Sequence, residues 1–435
     1  MTAGPATTLV RGRLMWFVDE PATAGAAAVR YVEDGAIHIE DGIIREAGEA
    51  GLILSALPSG TEIVDHRPHL VLPGLIDPHL HLPQTQVIAS PAKDLLDWLN
   101  RYTFVEEQRY GDPEIAAAGA RFLIDELLRN GTTTAAVYCS VHPASAEAFF
   151  AESERRNTRM AAGKVMMDRN APDALCDSAE TGYRESKALA ERWHRRRRQI
   201  YAITPRFAPT STEAQLKAAG ALAAELPDCP IQTHLAESAS EIALVAELYP
   251  WATDYTDVYD RFGLLRPGAM LGHSIHLTGR ERARLAETRS AAIFCPTSNL
   301  FLGSGLFDLA AMRDISPALA MGIATDIGGG TSYSMLQTAA AAHQVLALQG
   351  QRLAPFDAFH LMTRGNARAM RLDGCVGSLE PGSEADLVVL DARATPAMAR
   401  RMARAETLEE ELFILMMMGD DRAVATTYVM GERVK

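Results

Sequence analysis

Eight short apolar runs punctuate the middle of the chain, and each gives way to a polar turn and then to an Ala-, Leu-, Arg- and Glu-rich stretch of helical texture. They are LVLPGLI (70–76), TTTAAVY (132–138), MAAGKVMM (160–167), YAITPRF (201–207), PIQTHL (230–235), AMLGHS (269–274), AAIFCP (291–296) and GIATD (322–326). None alternates apolar with polar positions. Strands buried on both faces of a parallel sheet have that texture, whereas strands with one wet face alternate. Eight strand–helix units is the number a closed parallel barrel needs. An open doubly wound sheet is the competing arrangement, but no Gly-rich phosphate turn follows the first run. The two ends read differently. Short β segments fill the first 65 or so residues, with Asp41-Gly42 as a hairpin turn between AIHIE and IIREA. β texture returns in EADLVVLDA (384–392) and TTYVMGERV (426–434). The expected fold class is therefore α/β, a (β/α)8 TIM-like barrel with a small β-sandwich domain built from both chain ends. The predicted division is 1–69 plus 376–435 for the sandwich and 70–375 for the barrel.

In a parallel barrel, polar residues at the C-terminal strand ends converge on one site. Here the run ends carry chemistry. The stretch GLIDPHLHLPQ (74–84) supplies His79 and His81, the fourth run Arg206, the fifth His234 with Glu237, the sixth His273 and the eighth Asp326. Residues two apart on a strand point the same way, so His79 and His81 can grip one ion together. Imidazole and carboxylate donors suit zinc, and also iron or manganese. Each residue alone has a plainer explanation. A strand-end histidine is commonly a hydrogen-bonded structural group, Asp326 could cap a helix, and Glu237 could be a first-turn acid. Six such residues all falling at strand ends is what the plain explanations do not cover.

Composition narrows the function classes. The 435 residues are 48% hydrophobic and 22% charged, an ordinary globular balance, with a net charge of −13 that argues against nucleic acid or an anionic membrane as partner. The one basic run, Arg192 to Arg198, closes a helix-like segment and reads as a solvated C-terminus. Five scattered cysteines form no Cys-x-x-Cys pair. That speaks against a disulfide framework, a thiolate zinc site and a cytidine-deaminase-type editor, and fits a reducing compartment. No run reaches the ~18 apolar residues of a membrane span; LFILMMM (412–418) reads as a buried helix turn. With no signal-peptide core at the N-terminus, a cytoplasmic protein is expected.

The ordered set of His-x-His, His, His and Asp at strand ends resembles the amidohydrolase superfamily of metal-dependent hydrolases. GSLEPGSEADLVVLD (377–391) is similar to that superfamily's return into its β-domain. Within it, PHLHLPQ, LLDWLNRYTF, GKVMMD, ITPRF, THLAES, CPTSNLFLGSG, TDIGGGTSYSML and GDDR resemble the guanine deaminases. The resemblance implies one zinc per chain on His79, His81, His234 and Asp326. No lysine stands in the fourth run to bridge a second metal, and Lys164 in the third run is read as structural. It further implies Glu237, His273 and Asp326 as catalytic groups. Guanine would be bound by Leu82, Pro83, Gln84, Arg206 and Phe207 with His81, His234, Glu237 and Asp326 around it, and xanthine would be the product. A homodimer is implied too. The loop ASPAKD (89–94) departs from the aromatic- or glycine-bearing forms of such enzymes and is expected at the pocket entrance. Two alternatives stay open: a deaminase of another aminopurine, aminopyrimidine or triazine, and an inactive barrel serving as a binding or assembly protein.

Overall fold

The structure is a computed structural model that describes residues 7–57, 62–316 and 319–435. All eight apolar runs contain strands of one parallel barrel: β1 Leu75–His81, β2 Thr132–Tyr138, β3 Arg159–Gly163, β4 Ile200–Tyr201, β5 Ile231–Leu235, β6 Ala269–His273, β7 Ala291–Phe294 and β8 Met321–Ile323. β1 to β4 pair in chain order, and so do β5 to β8. A parallel bridge from Ile203 to Ile231 joins the two halves. The circle closes just past β8, where the Asp326 amide donates to the His79 carbonyl at 2.9 Å. β1, β2, β5, β6 and β7 are buried along their whole length, as their unalternating sequences require.

The first run proves to span two strands. Its leading residues end a strand of the terminal sheet, Ile63–Pro73, and β1 starts after Gly74. A side chain at Gly74 would overlap Thr133, so the crossing from sheet to barrel passes through a glycine.

Both chain ends do meet. Their strands lie side by side in one sheet of seven, in the order Glu432–Arg433, Val424–Val429, Leu387–Leu390, Ile63–Pro73, Thr7–Phe17, Val29–Glu40 and Ile43–Glu49. The sequence suggested a sandwich; the hydrogen bonding runs through all seven strands. Ile63–Pro73 joins the two ends, pairing parallel with Thr7–Phe17 and antiparallel with Leu387–Leu390. Asp41 and Gly42 both have positive φ, 51° and 79°, the hairpin geometry their sequence predicts. LFILMMM ends the helix Leu408–Met418, with Leu412, Ile414, Leu415 and Met416 buried. Among the described residues no helix is long and apolar enough to cross a membrane.

The basic run departs from expectation at its last residue. Arg195 and Arg197 are solvated, with side chains 70% and 71% exposed. Arg198 is buried and reaches Glu384 at 2.7 Å and Asp386 at 2.5 Å, clasping the barrel to the C-terminal segment. Sequence offers no sign of this, because the partners lie some two hundred residues away. Arg198→Met would leave the buried Asp386 Oδ2 without its cation, and a broken buried pair typically costs about 3–5 kcal/mol. Chemical unfolding should show that loss, and Arg198→Met/Asp386→Asn should recover part of it.

Candidate active site

The C-terminal ends of the barrel strands gather every chemically selected residue of the sequence. β1 turns both His79 and His81 inward, at 0% and 2% exposure. β5 carries His234 as its last residue but one; Ala236, at φ 49°, then bends the chain so that Glu237 enters the same space. Ser238 immediately starts the next helix, Ala239–Leu248, with a capping box to Glu241. His273, Ser274 and Asp326 also have positive φ, 66°, 51° and 52°. Left-handed backbone at a non-glycine residue costs on the order of 1–3 kcal/mol and persists where surrounding structure imposes it, commonly at functional sites. Gly272 belongs to this frame as well: a Cβ there would overlap the His79 ring.

Proton positions follow from the partners. His234 Nδ1 lies 2.7 Å from the Arg206 carbonyl, which can only accept, so Nδ1 carries the proton and Nε2 keeps its lone pair. That Nε2 stands 3.1 Å from His81 Nε2. Asp326 Oδ1 lies 3.5 Å from His81 Nε2 and 3.3 Å from His79 Nε2. Among the described residues, both ring nitrogens of His79 are buried without a hydrogen-bond partner. Donor atoms of His79, His234, His273 and Asp326 all fall within 4.8 Å of one another, with His81 beside them. Burial pushes the His79 imidazole down to about 3 and those of His81, His234 and His273 well below the usual range. These are neutral, lone-pair-bearing ligands around a carboxylate. A divalent metal ion is the group that such an orphaned, convergent donor set fits.

His273 differs from the other three. Its Nδ1 lies 2.8 Å from Asn299 Nδ2, and its Nε2 faces Glu237 Oε2 at 3.4 Å and Asp326 Oδ2 at 3.7 Å. With the Asn299 amide donating to Nδ1, the His273 proton sits on Nε2, directed at the two carboxylates. Glu237 accepts from Ser304 Oγ at 2.8 Å. Burial first, then the charges of Glu241 and Asp326, push its carboxyl well above the ordinary range.

A pocket opens over this cluster, walled by Leu95, Trp98, Leu99, Phe207 and Leu302 and floored by His81, His234, Glu237, His273 and Asp326. Gln84 and Arg206 supply the rest of its polar lining. Leu82 and Pro83 are buried in the turn that carries Gln84, outside that lining. The wall begins at Leu95, just past the loop 89–94, whose Asp94 caps the helix Leu95–Trp98. Lys164 is fully buried against Asp177 at 2.6 Å, away from the pocket.

Four participants were not picked out from sequence. Glu107 holds Arg206 and Gln84, Asn299 orients His273, Ser304 bonds Glu237, and Asp77 accepts from the Thr325 amide at 3.1 Å under the cluster. Burial pushes Asp77 up to about 7.

A model of the amidohydrolase family matches residues 70–434. The chain belongs to the amidohydrolase family. Among curated members, it is 46% identical over 409 residues to the guanine deaminase of Escherichia coli (strain K12), covering 94% of this chain and 93% of that one. It is 31% identical to the guanine deaminase of Mus musculus, over 83% and 82% of the two chains. The solved structure of E. coli guanine deaminase superposes with a TM-score of 0.95 at 44% identity over 99% of both chains. That of a guanine deaminase from C. acetobutylicum with guanine in the active site gives 0.88 at 27% identity, over 99% of this chain and all of the other.

In this amidohydrolase the glycine beneath His79 makes a specific demand. Gly272→Ala should displace the imidazole and weaken metal retention by about 10–100-fold, the usual effect of disturbing the support of a ligand. Metal content after dialysis against a weak chelator measures it; circular dichroism should show the fold intact.

Proposed function

We propose that the protein is a guanine deaminase that hydrolyses guanine to xanthine and ammonia in purine catabolism. The observation that carries this reading is a pocket in which a convergent imidazole–carboxylate cluster faces a glutamine amide and an arginine. Its relation to guanine deaminases over nearly the whole chain supports the same reading. In this reading His79, His81, His234 and Asp326 hold one zinc ion per chain, for which iron or manganese could substitute. When bound, that ion supplies Lewis-acid chemistry that makes water a competent nucleophile near pH 7.

The chain's own residues do the rest. Asp326 takes the proton of the attacking water. Glu237, whose carboxyl is raised by burial, delivers a proton to ring nitrogen 3 as the ring loses aromaticity. Left as a carboxylate, Glu237 then takes the remaining proton of the attacking oxygen and passes it to the leaving amine, and the proton held by Asp326 returns Glu237 to its acid form. His273 Nε2–H steadies the attacking oxygen, and Asn299 fixes that tautomer. Arg206 donates to the carbonyl at carbon 6, where adenine carries an amine. Gln84 meets the ring edge with both a donor and an acceptor. Phe207, Leu82 and Pro83 shape the surroundings of the base, and apolar wall residues keep bulk water away.

The same reading makes 1–69 with 376–435 a small β-sandwich domain and 70–375 the barrel. It makes the enzyme a cytoplasmic homodimer with no nucleic-acid or membrane partner. A deaminase of another aminopurine, aminopyrimidine or triazine would share the metal cluster and differ at Gln84 and Arg206.

Ammonia release over guanine, adenine, cytosine and a triazine separates these readings. Guanine should be the strongly preferred substrate, and preference for any other ring would refute the assignment. Glu237→Gln should keep its metal and still bind a xanthine-like inhibitor while turnover falls about 10²–10⁴-fold, the usual cost of a lost general acid. Arg206→Met should cost about 1–3 kcal/mol in kcat/KM for guanine, with metal content unchanged.

A further inference from the structure

Arg206 and Gln84 do not stand free at the pocket wall. Both are held by Glu107, a carboxylate only 1% exposed. Arg206 Nη1 donates to its two oxygens at 2.9 and 2.7 Å, and Gln84 Nε2 donates to Oε1 at 2.9 Å. We propose that Glu107 is a positioning residue for base recognition: without touching the substrate, it aims the arginine and the glutamine that read the purine. The inference rests on the guanine reading given above.

The chemistry of the partners makes the aim definite. A carboxylate only accepts, so the NH₂ end of Gln84 must face Glu107. The other end of the same amide accepts from the Gly328 amide at 3.1 Å, a group that only donates. Held at both ends, the Gln84 amide cannot flip, and its remaining N–H and lone pair present one fixed pattern to a ligand. Arg206 commits Nη1 to Glu107, which leaves its Nη2 and Nε hydrogens for a carbonyl.

Charge gives a second reason. A buried guanidinium facing a neutral base would be an uncompensated cation; paired with Glu107 it is not. Position gives a third. Glu107 ends the helix Phe104–Glu107, in the segment that begins with the wall residues Leu95, Trp98 and Leu99. The Phe104 ring sits 5.5 Å from the Arg206 guanidinium. One carboxylate thus ties the apolar wall to the polar readers.

The test uses Glu107→Gln and Glu107→Asp in the metal-loaded enzyme. Inhibition by hypoxanthine, which carries the carbonyl, is compared with inhibition by purine, which lacks it. Glu107→Gln should raise the inhibition constant of hypoxanthine, and KM for guanine, by about ten-fold or more, while purine inhibition and metal content stay near wild type. Glu107→Asp should recover much of the loss. Equal weakening of both inhibitors, or none, would overturn the proposal. Should Glu107→Gln fail to fold, it is introduced where both readers are already gone, and Arg206→Met/Gln84→Met/Glu107→Gln is compared with Arg206→Met/Gln84→Met. Further loss of hypoxanthine binding no larger than that of purine supports the proposal, and a selective further loss overturns it. Failure of the guanine reading itself would appear in the wild-type enzyme, as absence of guanine turnover.

Discussion

Neutral imidazole nitrogens directed at one carboxylate oxygen, with no protein partner between them, are the constraint around which this molecule is arranged. His79 has two buried nitrogens without partners, and the Nε2 atoms of His81 and His234 stand 3.1 Å apart. Each unsatisfied buried polar group costs about 1–3 kcal/mol, so the cluster is unfavourable until a cation joins it. The barrel has to hold it by force of geometry. Parallel strands bring the ends of β1, β5, β6 and β8 to one mouth, Gly272 clears room for the His79 ring, and the Arg206 carbonyl pins the His234 proton away from the centre. Left-handed residues at 236, 273, 274 and 326 are the local cost of turning those ends inward.

The pocket above the cluster divides its labour by environment. Burial raises the carboxyls of both Glu237 and Asp326, and what separates them is their contacts: Glu237 accepts from Ser304 Oγ, whereas Asp326 Oδ1 faces the Nε2 atoms of His79 and His81. Two acids in one space can then play different parts, one as proton donor and one as acceptor. His273, locked by Asn299, presents a donor between them. On the far wall, Arg206 and Gln84 are both held by Glu107, and the Gln84 oxygen accepts from the Gly328 amide, so the polar side of the pocket presents donors and acceptors in a fixed arrangement.

The fold was legible where burial leaves a mark on composition. Unalternating runs gave all eight barrel strands, and Asp41-Gly42 gave its hairpin. The strand-end histidines and Asp326 could be picked out because barrel topology assigns strand ends to the site. What sequence could not show depends on distance along the chain. Arg198 looked like the rest of its basic run because Glu384 and Asp386 are far away. Glu107 sits in FVEEQRY and reads as an ordinary helical acid, since only folding brings Gln84 and Arg206 to it. That both chain ends would meet was legible from their shared β texture; their order within one seven-stranded sheet was not, because strand order is a non-local property. The run 70–76 looked like one strand because the apolar texture continues across Gly74.

The central claim is that deamination of guanine depends on one metal ion held by the strand-end cluster. Metal-stripped protein titrated with zinc, with xanthine formation followed at each addition, tests it directly. The account predicts no turnover without metal and a linear rise that breaks at one equivalent per chain. Full activity in the stripped protein, or a break at two equivalents, would contradict it.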